Sequence, residues 1–196
     1  MKFIGITGGV GAGKSAILSY IKSHYNAKVV LADDLAKTLM EPGQDCYEDL
    51  RRVFAAYDVF SPEGTIDAKA MARVMFSNPS LREQMNHIVH PAVKSNVLAQ
   101  VEQERARGEF DYFFFEAALL IEDHYDQLCD ELWYIYTSEE NRRKRLKAGR
   151  GYSDEKISSI FASQLPEEEF RKHCKVVIDN NGTPEKAFAG IRKILD

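Results

Sequence analysis

Residues 8–15 read GGVGAGKS, and no other stretch restricts the possible folds as much. The octet matches the pattern G-x-x-x-x-G-K-[ST]. An apolar run, KFIGI (2–6), precedes it. The following KSAILSYIKSHY carries Ile17, Leu18 and Ile21 at helical spacing. Strand, glycine loop and helix are the context this pattern requires. Gly8, Gly9, Gly11 and Gly13 permit backbone dihedrals that other residues avoid, so main-chain N–H groups can turn inward. With the helix amino terminus, the run from Gly8 through Val10, Ala12 and Ala16 makes a cradle for anions. In such a cradle Lys14 reaches the β- and γ-phosphates of a nucleoside triphosphate, and Ser15 ligates Mg²⁺. A flexible glycine turn with a solvated lysine is the bland alternative. It does not account for the motif and its flanks together.

Strand-like runs recur at KVVLA (28–32), in the aromatic first half of FDYFFFEAALL (110–120), at ELWYIYT (131–137) and at KVVID (175–179). Helical patterns separate them, which implies a parallel sheet with helices on both faces. Residues 43–108 break the alternation and read as helices only, an insertion after the second strand. Within it, Pro91 fits a helix start and Gly108 an end. Ser138 and Ser153 fit helix caps further on. The expected organisation is a core of residues 1–42 and 109–196, with a lid at about 138–165, and a helical insertion at 43–108.

Ligands of open parallel sheets sit beyond the carboxyl ends of the strands. Asp33 and Asp34 follow the second strand directly. Asp33 could take a proton from a substrate hydroxyl or hold a metal, or it could merely cap a helix. Glu116 ends the third strand, where a metal-side carboxylate or a capping acid would stand. RRKRLKAGR (142–150) is a basic helix whose Arg142 and Arg145 share a face. These arginines could close over a triphosphate and offset charge that shifts during phosphoryl transfer. A nucleic-acid patch and a solvated helix paired with Glu139 and Glu140 are the rivals. The net charge of −4 argues against a chain that coats nucleic acid. His87 and His90 lie three apart, but no third ligand accompanies them, which argues against zinc. Cys46, Cys129 and Cys174 are scattered and odd in number, as in a reduced cytoplasmic protein. No apolar run approaches the ~20 residues needed to span a bilayer.

Several stretches together resemble the dephospho-coenzyme A kinase family. They are GITGGVGAGKS (5–15), ADDLAK (32–37), EPG (41–43), EGTIDAKAMARVMFSNP (63–79), HIVHP (87–91), ALLIE (118–122) and QLPEEEFRKHCKVVIDNNG (164–182). The order and spacing hold from end to end. The resemblance implies an α/β fold of the phosphate-loop kinase type. That fold is a three-layer, doubly wound, five-stranded parallel sheet with an inserted helical substrate domain and a lid. It implies transfer of the γ-phosphate of ATP, with Mg²⁺, to the ribose 3′-hydroxyl of dephospho-coenzyme A, the last step of coenzyme A synthesis. Asp33 then falls on the base, Lys14 and Ser15 on the triphosphate and metal positions, and Arg142 and Arg145 in the lid. His90 and Pro91 fall on the H-P of the substrate domain, and Asn180, Asn181 and Gly182 on the loop beside the adenine of ATP.

The chain departs from the family pattern on the acceptor and metal side. Leu31-Ala32-Asp33 stands for D-A-D, and Asp67-Ala68 stands for D-R. Glu116-Ala117-Ala118-Leu119-Leu120 stands for D-[IV]-P-L-L, which puts Glu116 on the acceptor or metal side with Asp33 and His90. Gly149-Arg150-Gly151 stands for R-[DN]-G. The phosphate loop is untouched. Two rival functions stand beside this one: a kinase of another small hydroxyl acceptor, which the changes at Leu31 and Ala68 motivate, and a catalytically idle ATP-binding regulator, against which the retained Lys14, Ser15 and Asp33 argue.

Overall fold

The computed structural model describes residues 1–196. Five strands form one sheet in the order β2-β3-β1-β4-β5. They are β1 (Lys2–Thr7), β2 (Ala27–Leu31), β3 (Tyr112–Glu116), β4 (Glu131–Tyr136) and β5 (Val176–Asp179). The sheet is all-parallel. Central parallel strands are covered on both faces and therefore read as unbroken apolar runs rather than alternating ones. Phe3, Ile4 and Ile6 of β1, Phe113 to Phe115 of β3 and Leu132 to Ile135 of β4 are all buried. Trp133 is fully buried and meets Phe114 edge-on, with ring centroids 5.5 Å apart.

Helix α1 (Lys14–His24) links β1 to β2 on one side of the sheet. Helices α6 (Glu139–Arg150), α7 (Asp154–Ala162) and α8 (Glu167–His173) link β4 to β5 on the other. Right-handed crossovers running in opposite directions place their helices on opposite faces. The closing helix α9 (Pro184–Leu195) packs with α1 and β5, while α8 packs on β4. Register aligns the strand ends: Ile6 pairs with Glu116, Thr7 with Tyr134, and Tyr136 with Asp179. The residues that follow β1, β4 and β5, namely Gly8, Thr137 and Asn180, thus emerge at one edge together with Glu116.

Two compact units divide the chain. One comprises Met1–Val29 and Glu104–Asp196, the other Val30–Gln103. The second unit holds α2 (Ala32–Leu39), α3 (Tyr47–Val53), α4 (Ala68–Ser77) and most of α5 (Pro79–Arg107). Its interior includes Leu50, Phe54, Val59 and Met71.

The insertion corrects one expectation. Pro91 does not start a helix; it lies inside α5, which runs unbroken for 29 residues. Val89, Val93, Val97 and Val101 form a buried stripe at four-residue spacing on both sides of it. Pro91 itself is exposed, so the helix bond it lacks is on the wet side, where water can replace it. Continuous burial of one face outweighs a local penalty of about 3 kcal/mol. Ser138 and Ser153 do cap α6 and α7, accepting from Asn141 N–H and Lys156 N–H.

Candidate active site

The glycine loop joins β1 to α1 and turns through three left-handed glycines, Gly8, Gly11 and Gly13. Ala12 N–H bonds back to Gly9 O at 3.0 Å, and Ala16 N–H and Ile17 N–H bond to Gly13 O at 3.2 and 3.4 Å. The N–H groups of Gly11, Gly13, Lys14 and Ser15 bond no main-chain carbonyl. A run of free donors at a helix amino terminus is an anion site by construction. Ser15 and Ala16 stand exposed in the first helical turn.

Lys14 folds back over the loop. Its Nζ donates to Gly8 O at 2.7 Å and lies 3.4 Å from Glu116 Oε1. Both side chains are less than a fifth exposed, so the ion pair is only partly screened. Thr7 Oγ1, at the end of β1, is buried without a hydrogen-bond partner.

The basic helix α6 divides by face. Arg143 pairs with Glu139 and Asp154, Lys144 with Glu140, and Lys147 with Asp154, all toward solvent. Arg142 and Arg145 turn onto the glycine loop instead. Arg142 Nε donates to Val10 O at 2.9 Å, and its guanidinium bonds Gln164 and lies 4.2 Å from the Phe161 ring centroid. Burial pulls the Arg142 pKa below its ordinary value, with the Tyr134 and Glu139 charges opposing. Arg142 and Gln164 also line a cavity of about 340 Å³ with Tyr134, Phe161 and Phe170.

Arg145 Nη1 donates to Ala12 O at 3.2 Å and to Thr137 Oγ1 at 3.3 Å, and its Nη2 donates to Asn180 O at 2.6 Å. Asn180 Nδ2 donates to the same Ala12 carbonyl at 2.8 Å. Asn181 Oδ1 accepts from Ser138 N–H at 2.7 Å and from Asn141 Nδ2 at 3.1 Å. The loop after β5, including exposed Gly182, is thereby tied to the start of α6.

Asp33 and Asp34 lie in the first turn of α2, just past β2. Neither caps the helix, since the cap position is Leu31 and carries no side-chain hydrogen bond. Asp34 pairs with Lys37 at 2.8 Å, whereas the Asp33 carboxylate is exposed. Asp67 is the true capping acid of the second unit, accepting from Lys69 N–H at 2.8 Å and Ala70 N–H at 3.0 Å. Those N–H groups, Ala70 first, hold its carboxyl below the usual range. His90 is half-buried in α5. The sequence did not mark Thr137 or Gln164 as site residues, although Gln164 opens the QLPEEEF run. Thr137 directly follows β4, so the carboxyl-end rule that singled out Asp33 and Glu116 applied to it equally.

A glycine cradle with its lysine, at the carboxyl edge of a 2-3-1-4-5 parallel sheet, is the α/β fold of the phosphate-loop kinase type. The dephospho-CoA kinase (CoaE) family profile matches residues 2–186. A dephospho-CoA kinase of Geobacter sulfurreducens is 34% identical over 194 residues, 99% of this chain and 97% of its own length. A Thermus thermophilus crystal structure is 30% identical with a TM-score of 0.79, covering 99% of this chain and 96% of that one. A dephospho-CoA kinase from Campylobacter jejuni shares the fold at a TM-score of 0.73 and 22% identity, covering 98% of this chain and 96% of that one. The chain belongs to the dephospho-CoA kinase family, whose members are ATP-dependent kinases.

Proposed function

We propose that the chain transfers the γ-phosphate of ATP to the ribose 3′-hydroxyl of dephospho-coenzyme A. The observation that carries this reading is the cradle at residues 8–15, with its free N–H groups and Lys14, in a chain of this family. Lys14 exchanges Gly8 O and Glu116 for the β- and γ-phosphates when nucleotide binds. Arg142 and Arg145 hold the loop, and Arg142 offsets charge as it shifts. Asn180, Asn181 and Gly182 form the wall beside the base.

Mg²⁺ takes one or two protein oxygens and fills its shell with water and phosphate. The donors present suit it: the exposed Ser15 hydroxyl and the Glu116 carboxylate are hard oxygen ligands, and no cluster of histidine or cysteine competes. Ser15 would hold the ion, with Glu116 outside it. When bound, the ion neutralises charge on the β- and γ-phosphates.

Asp33 accepts the proton of the acceptor hydroxyl as the bond to phosphorus forms. An exposed, uncapping carboxylate at the end of a parallel strand is free for that task. His90 belongs to the acceptor side. Little covalent chemistry falls to the protein, so positioning supplies most of the rate.

A coupled assay of ADP release with ATP, Mg²⁺ and dephospho-coenzyme A tests the reading. Release that requires dephospho-coenzyme A, with product phosphorylated at the ribose 3′ position, supports it. ATP binding without that release shifts the function to another hydroxyl acceptor or to an idle regulator. The changes at Leu31, Ala68, Glu116, Ala118 and Gly149 would then be the cause.

A further inference from the structure

Glycine loops have a weakness. The freedom that lets Gly11 and Gly13 take left-handed dihedrals also lets the peptides between them flip. A flip at Ala12–Gly13 would replace an N–H with a carbonyl oxygen facing an anion. The peptide is planar and trans, so its C=O and N–H point in opposite directions. Whatever holds the Ala12 oxygen therefore aims the Gly13 N–H.

Three side chains hold it. Thr137 Oγ1 lies 3.0 Å from Ala12 O, Asn180 Nδ2 2.8 Å and Arg145 Nη1 3.2 Å. Thr137 is 2% exposed and Asn180 7%, so water does not compete. Thr137 also organises the other two, because its hydroxyl accepts from Arg145 at 3.3 Å and lies 3.3 Å from Asn180 O. Gly13 N–H, on the opposite side of the peptide, bonds no main-chain carbonyl.

We propose that Thr137 is a positioning residue for phosphate binding. With Arg145 and Asn180 it locks the Ala12 carbonyl away from the cradle and so fixes the Gly13 N–H toward a bound polyphosphate. The inference rests on the reading of residues 8–15 as a nucleotide loop. Thr137 touches no reacting atom; it acts through one peptide.

The test compares Thr137→Val and Thr137→Ser with the unmodified chain, by titration with ADP and with AMP and by thermal melting. The expected result for Thr137→Val is about threefold to tenfold weaker ADP binding, the value of one hydrogen bond to a carbonyl. AMP lacks the outer phosphate, so its affinity should stay within about twofold on the same reasoning. KM for ATP should rise in parallel while KM for the acceptor holds. Thr137→Ser keeps the hydroxyl and should restore ADP binding. A valine variant that binds ADP normally, or loses ADP and AMP equally, overturns the inference. A lower melting point with unchanged discrimination between ADP and AMP assigns Thr137 a structural role only and overturns it too. If the valine variant does not fold, the Thr137→Ala and Thr137→Ser pair gives the same comparison. An unmodified chain that binds no ADP overturns instead the nucleotide reading on which the inference stands.

Discussion

Gly13→Ala strains the loop in two ways at once. Gly13 has φ +88 and ψ 24, the left-handed region, as the cap of α1. An L-residue there loses about 1–2 kcal/mol. A Cβ would also stand 2.4 Å from Asn180 Nδ2, closer than real contacts allow, and 3.2 Å from Arg145 Nη1. Asn180 must then leave the Ala12 carbonyl, and its buried amide goes without a partner, a further loss of about 1–3 kcal/mol. Together about 2–5 kcal/mol act against the loop shape that presents the N–H groups. At about 1.4 kcal/mol per decade, nucleotide affinity should fall at least about 30-fold. Isothermal titration with ADP reads the loss directly. Gly190→Ala is the control. Gly190 lies inside α9 with nothing within 4 Å of the added carbon. Alanine there should raise stability by about 0.5–1 kcal/mol and leave ADP binding alone. A Gly13→Ala protein that binds ADP within about twofold of the unmodified chain would refute the claim that this conformation builds the cradle.

Asp33→Asn should cut turnover by about 10²–10⁴ while ATP affinity, by equilibrium dialysis, is unchanged. Full turnover in that variant removes Asp33 as the base. Trp133 of β4 is fully buried and donates to Glu131 at 2.7 Å, so Trp133→Ala should lose about 3–5 kcal/mol in urea unfolding. Burial pushes the Cys129 and Cys174 thiols from 9.0 up to about 12, so the folded state holds their protons more tightly than the unfolded chain. That stabilisation is complete below about pH 9 and is lost as pH rises toward 12, so the melting point should drop across this window and drop less in Cys174→Ala.

The sheet was legible because its strands are buried on both faces and spell themselves as apolar runs. KFIGI, the aromatic first half of 110–120 and ELWYIYT each became a strand within a residue or two. Pro91 misled because a proline speaks only for its own turn. What keeps α5 whole is the valine stripe from Val89 to Val101, and its worth depends on what covers it. Asp33 shows the same limit in reverse. An aspartate at a helix start reads as a cap, yet Asp67 caps and Asp33 does not, and only the position of the first helical residue decides.

The candidate site separates local from distant information in the same way. Gly8 to Ser15 can be read as a loop because its chemistry is written in eight consecutive residues. The three donors that hold its Ala12 carbonyl lie 125, 133 and 168 residues further along the chain. No spacing rule links them to the loop. What links them is topology: β4 and β5 end at the same edge as β1, so the first residue beyond each strand can reach the loop. In this fold a threonine after β4 and an asparagine after β5 are therefore part of the phosphate loop in every physical sense except sequence. Substitutions there should weaken nucleotide affinity as substitutions of the loop glycines do, though by less. Substitutions on the solvent side of α6, at Arg143 or Lys144, should not, because those charges are spent on Glu139, Asp154 and Glu140.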